Sequence, residues 1–282
     1  ANLKEDPLRL LRAYRQAAQL GFVISPETQI TIREFAPLLT QVAAERVQTE
    51  LGYLLSHPQG MIWIEKAWKN GLLSDYFPAA TENLGIGKKV EIVVEQLEKD
   101  WSNLEVELGS GLRNTVKTSL LAIAKLAILV NPYPEKAEVE LMRLKYSNAE
   151  VRSIIAVIKG LAKLSEIEVL QMSVREQYFF FQQIGKNFPA LAVAAVAKGI
   201  SIEEINCLIE RYINPDDPVA HPTTLLNGHD LITALKLPLG PIVGQLLTEI
   251  QIARAEEKIL TKGEAIKLAE RLIEVRKDLS SF

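Results

Sequence analysis

The chain has 282 residues, of which 48% are hydrophobic and 24% are charged, a composition typical of folded globular domains and not of disordered chains. The formal net charge of −3 excludes a general polycation, so any contact with nucleic acid requires a local basic patch. The one cysteine, Cys207, excludes a disulfide framework and a cysteine-based metal site, and it favours a reducing, cytoplasmic setting.

Helical periodicity extends over nearly all of the chain, and no segment alternates convincingly as a strand, so the sequence predicts an all-α fold. Asp6-Pro7 reads as an N-cap followed by proline at the first helical position, Gly21 ends that helix, and Ser25-Pro26 opens the second. The other predicted helices span residues 43–55, 58–70, 88–107, 113–130, 135–144, 148–159, 165–184, 189–198, 202–213, 229–235, 241–257 and 264–279.

The segment 214–227 is rich in Pro, Asp and Thr and is expected to be a loop, and domain boundaries are expected near residues 70 and 200. The longest apolar run, residues 120–130, is interrupted by Lys125 and is too short to cross a bilayer, so no membrane association is expected.

The first predicted helix separates an apolar face from a basic one. At about 100° per residue, one face carries the apolar set Leu10, Leu11, Tyr14, Ala17 and Ala18. The other face carries Arg9, Arg12 and Arg15, preceded by the carboxylates of Glu5 and Asp6. The helix therefore begins at an acidic pair and continues as a cationic strip.

An adjacent carboxylate and guanidinium could recognise a nucleotide base. A carboxylate accepts a hydrogen bond from an exocyclic amino group, and a guanidinium donates to a ring nitrogen or carbonyl. Cytosine and adenine present the matching amino donor and ring-nitrogen acceptor side by side. Asp6 and Arg9 could therefore select C and A without a template, although a solvated arginine face with an ordinary Asp-Pro cap would explain the same spacing.

Residues 5–22, EDPLRLLRAYRQAAQLGF, resemble the base-recognition motif of the bacterial-type (class II) tRNA nucleotidyltransferase and poly(A) polymerase family, which includes the CCA-adding enzymes. The resemblance implies that Asp6 and Arg9 pair with the incoming base, that Glu5 orients an arginine, and that Arg12 and Arg15 line the nucleotide site. It also implies an elongated helical array with a neck (1–70), a body (71–200) and a tRNA-binding tail (201–282).

Two further segments carry the resemblance. Residues 44–51, AERVQTEL, are similar to the next family motif, a helix that supports the base-reading helix, and there Arg46 and Glu50 stand four apart and could pair. Residues 222–247, PTTLLNGHDLITALKLPLGPIVGQLL, resemble the last domain of the family. The centre of the chain is matched only by its helical character.

The catalytic residues of the family have no counterpart in this sequence. Two-metal nucleotidyl transfer needs closely spaced carboxylates held on strands and a Gly-Ser-type phosphate loop, and no Asp-x-Asp motif is present. Asp216-Asp217 is better explained as a turn. We therefore expect no catalytic residue, metal site or cofactor in this chain, no nucleotide transfer by it alone, and Mg²⁺ in a missing N-terminal catalytic head.

Several weaker signals concern RNA and metals. Arg113, Lys117 and Lys125 lie in an acid-free stretch and could contact a tRNA backbone, although an ordinary solvated face explains them as well. Arg254 and Lys258 belong to the tail that, by resemblance, grips tRNA. His229-Asp230 lacks the further ligands of a phosphohydrolase metal site, so Asp230 is expected to serve a helix start.

The expected function is the C-terminal part of a template-independent tRNA 3′-end nucleotidyltransferase, with the tRNA 3′ end and ATP or CTP as partners. The alternatives are a fragment of a poly(A) polymerase and a non-enzymatic helical RNA-binding or interaction module. The choice among CCA, CC-only and A-only addition is expected to depend on the missing head.

Overall fold

A computed structural model describes the backbone of residues 2–113 and 116–279, and within these the side chains of residues 3–111 and 118–275. The all-α prediction is confirmed, because helices dominate and the strands described are one short antiparallel pair. None of the helices that the structure describes has the length and hydropathy of a membrane-spanning segment.

The α-helices are α1 (Asn2–Glu5), α2 (Leu8–Leu20), α3 (Pro26–Phe35), α4 (Ala44–Leu55), α5 (Gly60–Lys69), α6 (Leu84–Leu97), α7 (Leu104–Gly109), α8 (Leu120–Leu129), α9 (Pro134–Arg143), α10 (Asn148–Glu166), α11 (Val174–Ile184), α12 (Phe188–Ala197), α13 (Ile202–Ile213), α14 (Gly228–Leu235), α15 (Pro241–Ala255) and α16 (Lys262–Leu279). Short 3₁₀ segments cover Ala36–Gln41, Pro78–Glu82, Val169–Gln171 and Gly185–Asn187. Strands β1 (Gly111–Arg113) and β2 (Val116–Ser119) pair with Gly111 opposite Ser119 and Arg113 opposite Val116.

The chain divides into two compact units. Unit 1 comprises Ala1–Ile167 and Ile184–Ile205, and unit 2 comprises Glu168–Gln183 and Asn206–Phe282. The division into neck, body and tail stays a prediction.

The core of unit 1 is built around two helices that are apolar on almost every side. The sequences of α8, LLAIAKLAIL, and α12, FPALAVAAVA, bury nearly all of their residues, and the two helices pack against each other and against α6 and α10. A helix without a polar face is expected in the interior. Helix α10 continues past its predicted end at residue 159, and at Gly160 it lies so close to α12 that a Cβ would stand 2.7 Å from the Leu191 side chain.

Three other helix predictions were wrong in extent. The segment 88–107 is interrupted because Trp101 is buried and stacks on Phe188 with ring centroids 6.0 Å apart. The segment 113–130 begins with Arg113 at the end of β1 and continues as β2 from Val116. Helix α8 starts only after Ser119, whose hydroxyl accepts a hydrogen bond from the Ala122 N–H at 3.2 Å. The segment 165–184 starts with the last two residues of α10, continues through the 3₁₀ turn Val169–Gln171, and becomes α11 only at Val174.

Unit 2 has a small core of its own, formed between α14, α15 and α16. Its centre is the buried set Leu231, Leu246, Ile250, Ala265 and Ala269. The predicted 214–227 loop is confirmed, and the Asp217 carboxylate accepts hydrogen bonds from the N–H groups of Val219 and Ala220 at 2.9 and 2.8 Å.

Candidate nucleotide-recognition site

Helix α2 presents the predicted faces. Leu10, Leu11, Tyr14, Ala17 and Ala18 are buried, which confirms the interpretation of the apolar stripe. Gly21 ends the helix in the left-handed conformation with φ 67°, as the sequence predicts. The arginines lie on the other side, towards α4 and solvent.

The predicted N-cap at Asp6 is wrong. Pro7 has helical dihedral angles, α2 begins at Leu8, and no side-chain capping hydrogen bond is made there. The residue in the capping position is Pro7, whose backbone is helical and not extended and whose side chain has no oxygen to accept from the first turn. The Asp6 carboxylate is therefore available for other partners.

Asp6 and Arg9 stand at the open end of the site. The Arg9 Nε lies 3.8 Å from the Asp6 Oδ2, and the side chains are 45% and 30% exposed, respectively. Arg46 of α4 donates to both Asp6 oxygens, at 3.4 and 3.5 Å. These are long, exposed contacts, so neither Asp6 nor Arg9 is enclosed in the core.

Glu50 of α4 holds the next two arginines of α2. The Arg12 Nε donates to Glu50 Oε1 at 3.1 Å, and the Arg15 Nε donates to Glu50 Oε2 at 2.5 Å. The Glu50 side chain is only 5% exposed. One buried carboxylate thus fixes two guanidinium groups and leaves them a net positive charge.

Arg15 is the more enclosed of the two. Its Nη1 donates to Gln19 Oε1 at 2.7 Å, and its guanidinium carbon lies 5.2 Å from the centre of the Tyr53 ring. Arg12 remains more exposed than Arg15. Glu5 is an exposed residue at the end of α1, and its orienting role stays a prediction.

The expected pairing within α4 is replaced by pairing between helices. Arg46 and Glu50 both contact α2, Arg46 through Asp6 and Glu50 through Arg12 and Arg15. Side chains four residues apart can meet on a helix surface, but each of these finds an opposite charge on the facing helix.

A second support for α2, not predicted from the sequence, comes from α5 and the residue that follows it. The Asn70 amide donates to the Tyr14 hydroxyl at 2.5 Å, and Trp63 meets the Tyr14 ring edge-to-face at 6.5 Å. Burial raises the pKa of Tyr14 above its ordinary value. A tyrosine on the buried face of a helix needs a hydrogen-bond partner for its hydroxyl, so the position of Tyr14 on the apolar face could have predicted such a partner.

Lys125 does not fit the prediction of a tRNA contact. Its side chain is 0% exposed, and its ammonium donates to the carbonyl oxygens of His57 and Pro58 at 2.7 and 3.2 Å and lies 3.7 Å from Glu91 Oε1. Burial lowers the pKa of Lys125 to about 8, against the opposing effect of Glu91. A lysine in the middle of an apolar helix faces the core, so it cannot reach a phosphate backbone.

The other basic residues predicted to contact RNA lie in two parts of the chain. The side chains of Arg113 and Lys117 lie outside the described residues. In unit 2, Arg254 donates to the Thr223 carbonyl at 2.6 Å, and the exposed Lys258 pairs with Glu256 at 2.6 Å.

No metal site is found in the part of the chain that the structure describes, where no group of three or more His, Cys, Asp or Glu side chains could hold an ion. Asp230 serves the start of α14, as predicted, because it forms a reciprocal capping box with Asn227.

Two family models match the chain. One, described as domain 2 of tRNA nucleotidyltransferase, matches residues 114–269, which is more than half of the chain. The other, described as "Probable RNA and SrmB-binding site of polymerase A", matches residues 21–84.

Relatives match over almost the whole chain but not over their own whole length. The CC-adding tRNA nucleotidyltransferase of Synechocystis sp. is 41% identical over 274 residues, which cover 96% of this chain and 65% of that protein. The CC-adding tRNA nucleotidyltransferase of Geobacter sulfurreducens is 28% identical over 273 residues, covering 92% and 62%. The chain therefore spans less than two thirds of the length of these relatives.

A solved structure has the same fold. The Bacillus stearothermophilus CCA-adding enzyme in complex with CTP matches with a TM-score of 0.64 at 20% identity, covering 98% of this chain and 64% of that one. The fold is thus of the class found in CCA-adding enzymes. With a family model matched over more than half of its length, the chain belongs to the tRNA nucleotidyltransferase domain 2 family, which confirms the resemblance inferred from its first helix.

Proposed function

We propose that this chain is the C-terminal portion of a template-independent tRNA 3′-end nucleotidyltransferase and that it supplies base selection and tRNA binding. The observation that carries the proposal is the exposed Asp6–Arg9 pair at the start of α2, with Arg12 and Arg15 held beside it by the buried carboxylate of Glu50.

The chemistry of the proposal follows from the donors and acceptors of this pair. The Asp6 carboxylate accepts from the exocyclic amino group of cytosine or adenine, and the Arg9 guanidinium donates to the neighbouring ring nitrogen. Uracil and guanine present a carbonyl and a ring N–H instead, so both contacts become unfavourable. The surplus positive charge of Arg12 and Arg15 attracts the triphosphate, while Arg46 holds Asp6.

We further propose CC addition as the activity of the whole protein. Both relatives described above are named CC-adding enzymes, one of them at 41% identity. The catalytic carboxylates and Mg²⁺ of the reaction are proposed to belong to a head domain elsewhere in the whole protein. Within unit 2, Arg254 and Lys258 stay proposed contacts to tRNA, and a cytoplasmic location is part of the same proposal.

The test is nucleotide selection by the full-length protein on a tRNA that lacks its 3′ end. We expect kcat/KM for CTP to exceed that for UTP in the unchanged protein. Since a well-made base contact contributes roughly 1–3 kcal/mol, Arg9→Ala should lower this ratio about 5- to 150-fold.

Arg152→Ala is the matched control, because Arg152 is an exposed arginine of α10 that is not part of the Asp6–Arg9 site. It should keep both the rate and the ratio. An Arg9→Ala protein that retains the full preference for CTP would falsify the assignment of Arg9, and an unchanged protein that transfers no nucleotide to tRNA would refute the proposed function.

A further inference from the structure

We infer that Lys125 is a positioning residue for base selection, because it anchors the turn that joins the two helices supporting α2. The effect on base selection rests on the proposed function. The anchoring of the turn by Lys125 rests only on the geometry of unit 1.

The turn in question joins α4 to α5. Both helices pack against α2, and they contact it through different side chains. Helix α4 supplies Glu50 to Arg12 and Arg15, while α5 supplies Trp63 to the ring of Tyr14. A shift of the turn therefore moves both supports together.

Lys125 binds this turn at its backbone. Its ammonium donates to two successive carbonyl oxygens, those of His57 and Pro58, which follow the C-terminal end of α4. A cation at this position also faces the negative end of the α4 dipole. A second link nearby joins the hydroxyls of Ser119 and Ser56 at 3.1 Å.

The turn has little freedom to adjust by itself. The His57 carbonyl accepts from the Gly60 N–H at 2.9 Å as well as from Lys125, and the His57 N–H donates to the Leu54 carbonyl at 3.1 Å. A Cβ on Gly60 would stand 1.7 Å from that Leu54 oxygen. The anchor on α8 therefore fixes a compact, rigid segment and not a loose loop.

Folding alone does not favour a lysine at this position. The residues around it on α8 are Ala, Ile and Leu, and burying an ammonium costs free energy that a well-packed apolar side chain would not. The lysine contributes directional hydrogen bonds. Its ammonium holds the two carbonyl groups in one arrangement, whereas an apolar side chain would tolerate several arrangements of the turn.

The experiment compares Lys125→Met with Glu91→Gln in the full-length protein. Both changes break the ion pair between the buried Lys125 and the half-buried Glu91, but only Lys125→Met removes the bonds to the His57 and Pro58 carbonyls. The rate of amide hydrogen exchange in the 54–60 segment measures how firmly the turn is held. The CTP-over-UTP ratio of kcat/KM, together with KM for CTP and for tRNA, measures the effect on base selection.

We expect Lys125→Met to speed exchange in the 54–60 segment at least about ten-fold, as for a lost charge-assisted hydrogen bond. The CTP-over-UTP ratio should fall roughly 3- to 30-fold, with a raised KM for CTP and an unchanged KM for tRNA. Glu91→Gln leaves the buried ammonium without its counter-charge, so some loss of stability is expected, but exchange and the CTP-over-UTP ratio should change several-fold less than in Lys125→Met, because the turn keeps its donor.

Unchanged exchange in Lys125→Met overturns the anchor, and faster exchange with full selectivity overturns the positioning role. Equal loss of selectivity in Glu91→Gln overturns it as well, because the ion pair would then be the cause. If Lys125→Met does not fold, Lys125→Gln is measured under the same criteria. Because glutamine keeps an N–H donor, a smaller loss of exchange protection and of CTP-over-UTP selectivity is then expected. An unchanged protein without base preference refutes the proposed function, while the exchange measurement still decides the anchor.

Discussion

At the residue scale, Glu50 resolves a conflict that the sequence of α2 creates. Arg12 and Arg15 stand three residues apart on one face, where like charges repel. The buried carboxylate of Glu50 lies between them and accepts from both guanidinium groups. One negative charge against two positive ones stabilises the pair and keeps the surface attractive to an anion.

We predict that Glu50→Gln destabilises unit 1 by about 1.5–3 kcal/mol, the range for hydrogen bonds to charged groups, and raises KM for CTP. The amide keeps the size of the side chain but cannot neutralise either arginine. Denaturant unfolding followed by tryptophan fluorescence measures the first effect, because Trp63, Trp68 and Trp101 all lie in unit 1.

Glu45→Gln is the control, since Glu45 is an exposed residue in the first turn of the same helix, and its free energy of unfolding should change by less than about 0.5 kcal/mol. If the two variants unfold at the same denaturant concentration, the bridging role of Glu50 is wrong.

At the element scale, the turn between α4 and α5 determines how the supports of α2 are arranged. Gly60 begins α5 and packs directly on the backbone of α4, with the Leu54 carbonyl oxygen only 1.7 Å from where a Cβ would stand. No side chain can relieve such a clash, because the obstructing atom belongs to the main chain.

Gly60→Ala is therefore expected to be destabilising by more than about 3 kcal/mol, since the turn must open to admit the methyl group. Gly85→Ala is the matched control in α6, where a Cβ meets open space; there alanine should stabilise the helix by about 0.5–1 kcal/mol. Thermal unfolding measures the change in stability of each variant, which should be a decrease for Gly60→Ala and an increase for Gly85→Ala. Equal effects of the two substitutions would show that the close approach at Gly60 is not a constraint.

At the scale of the whole molecule, the free energy of unfolding depends on pH through every group whose pKa differs between the folded and unfolded chain. Lys125 is such a group, because burial lowers its pKa from 10.5 to about 8. Between these values the unfolded chain binds more protons than the folded one. The stabilisation from this group is then fully present above about pH 10.5 and is lost as the pH falls through about 8.

We predict that the free energy of unfolding of the unchanged protein rises relative to that of Lys125→Met between pH 7.5 and pH 10, roughly the interval that spans the lowered pKa. Denaturant titrations of both proteins at several pH values give this difference, and groups common to both cancel in it. A difference that stays constant over the interval would mean that Lys125 titrates as it does in water.

The sequence by itself determined what depends on neighbours along the chain. The apolar periodicity of α2 predicted its buried face, Gly21 and Ser25 predicted where one helix ends and the next begins, and the pattern as a whole predicted an all-α fold. These signals are local, because a helix repeats every 3.6 residues and its ends are set by one or two residues. The same locality allowed the acidic and arginine residues of the proposed site to be found together.

Only the tertiary structure decided which charges meet. Arg12 and Arg15 find Glu50 at separations of 38 and 35 residues, and Arg46 finds Asp6 across 40. Lys125, expected at the surface, finds the backbone of a turn 68 residues away. Such partners depend on how helices pack and on which side each one buries, and helix packing involves contacts between distant parts of the chain that no local pattern encodes.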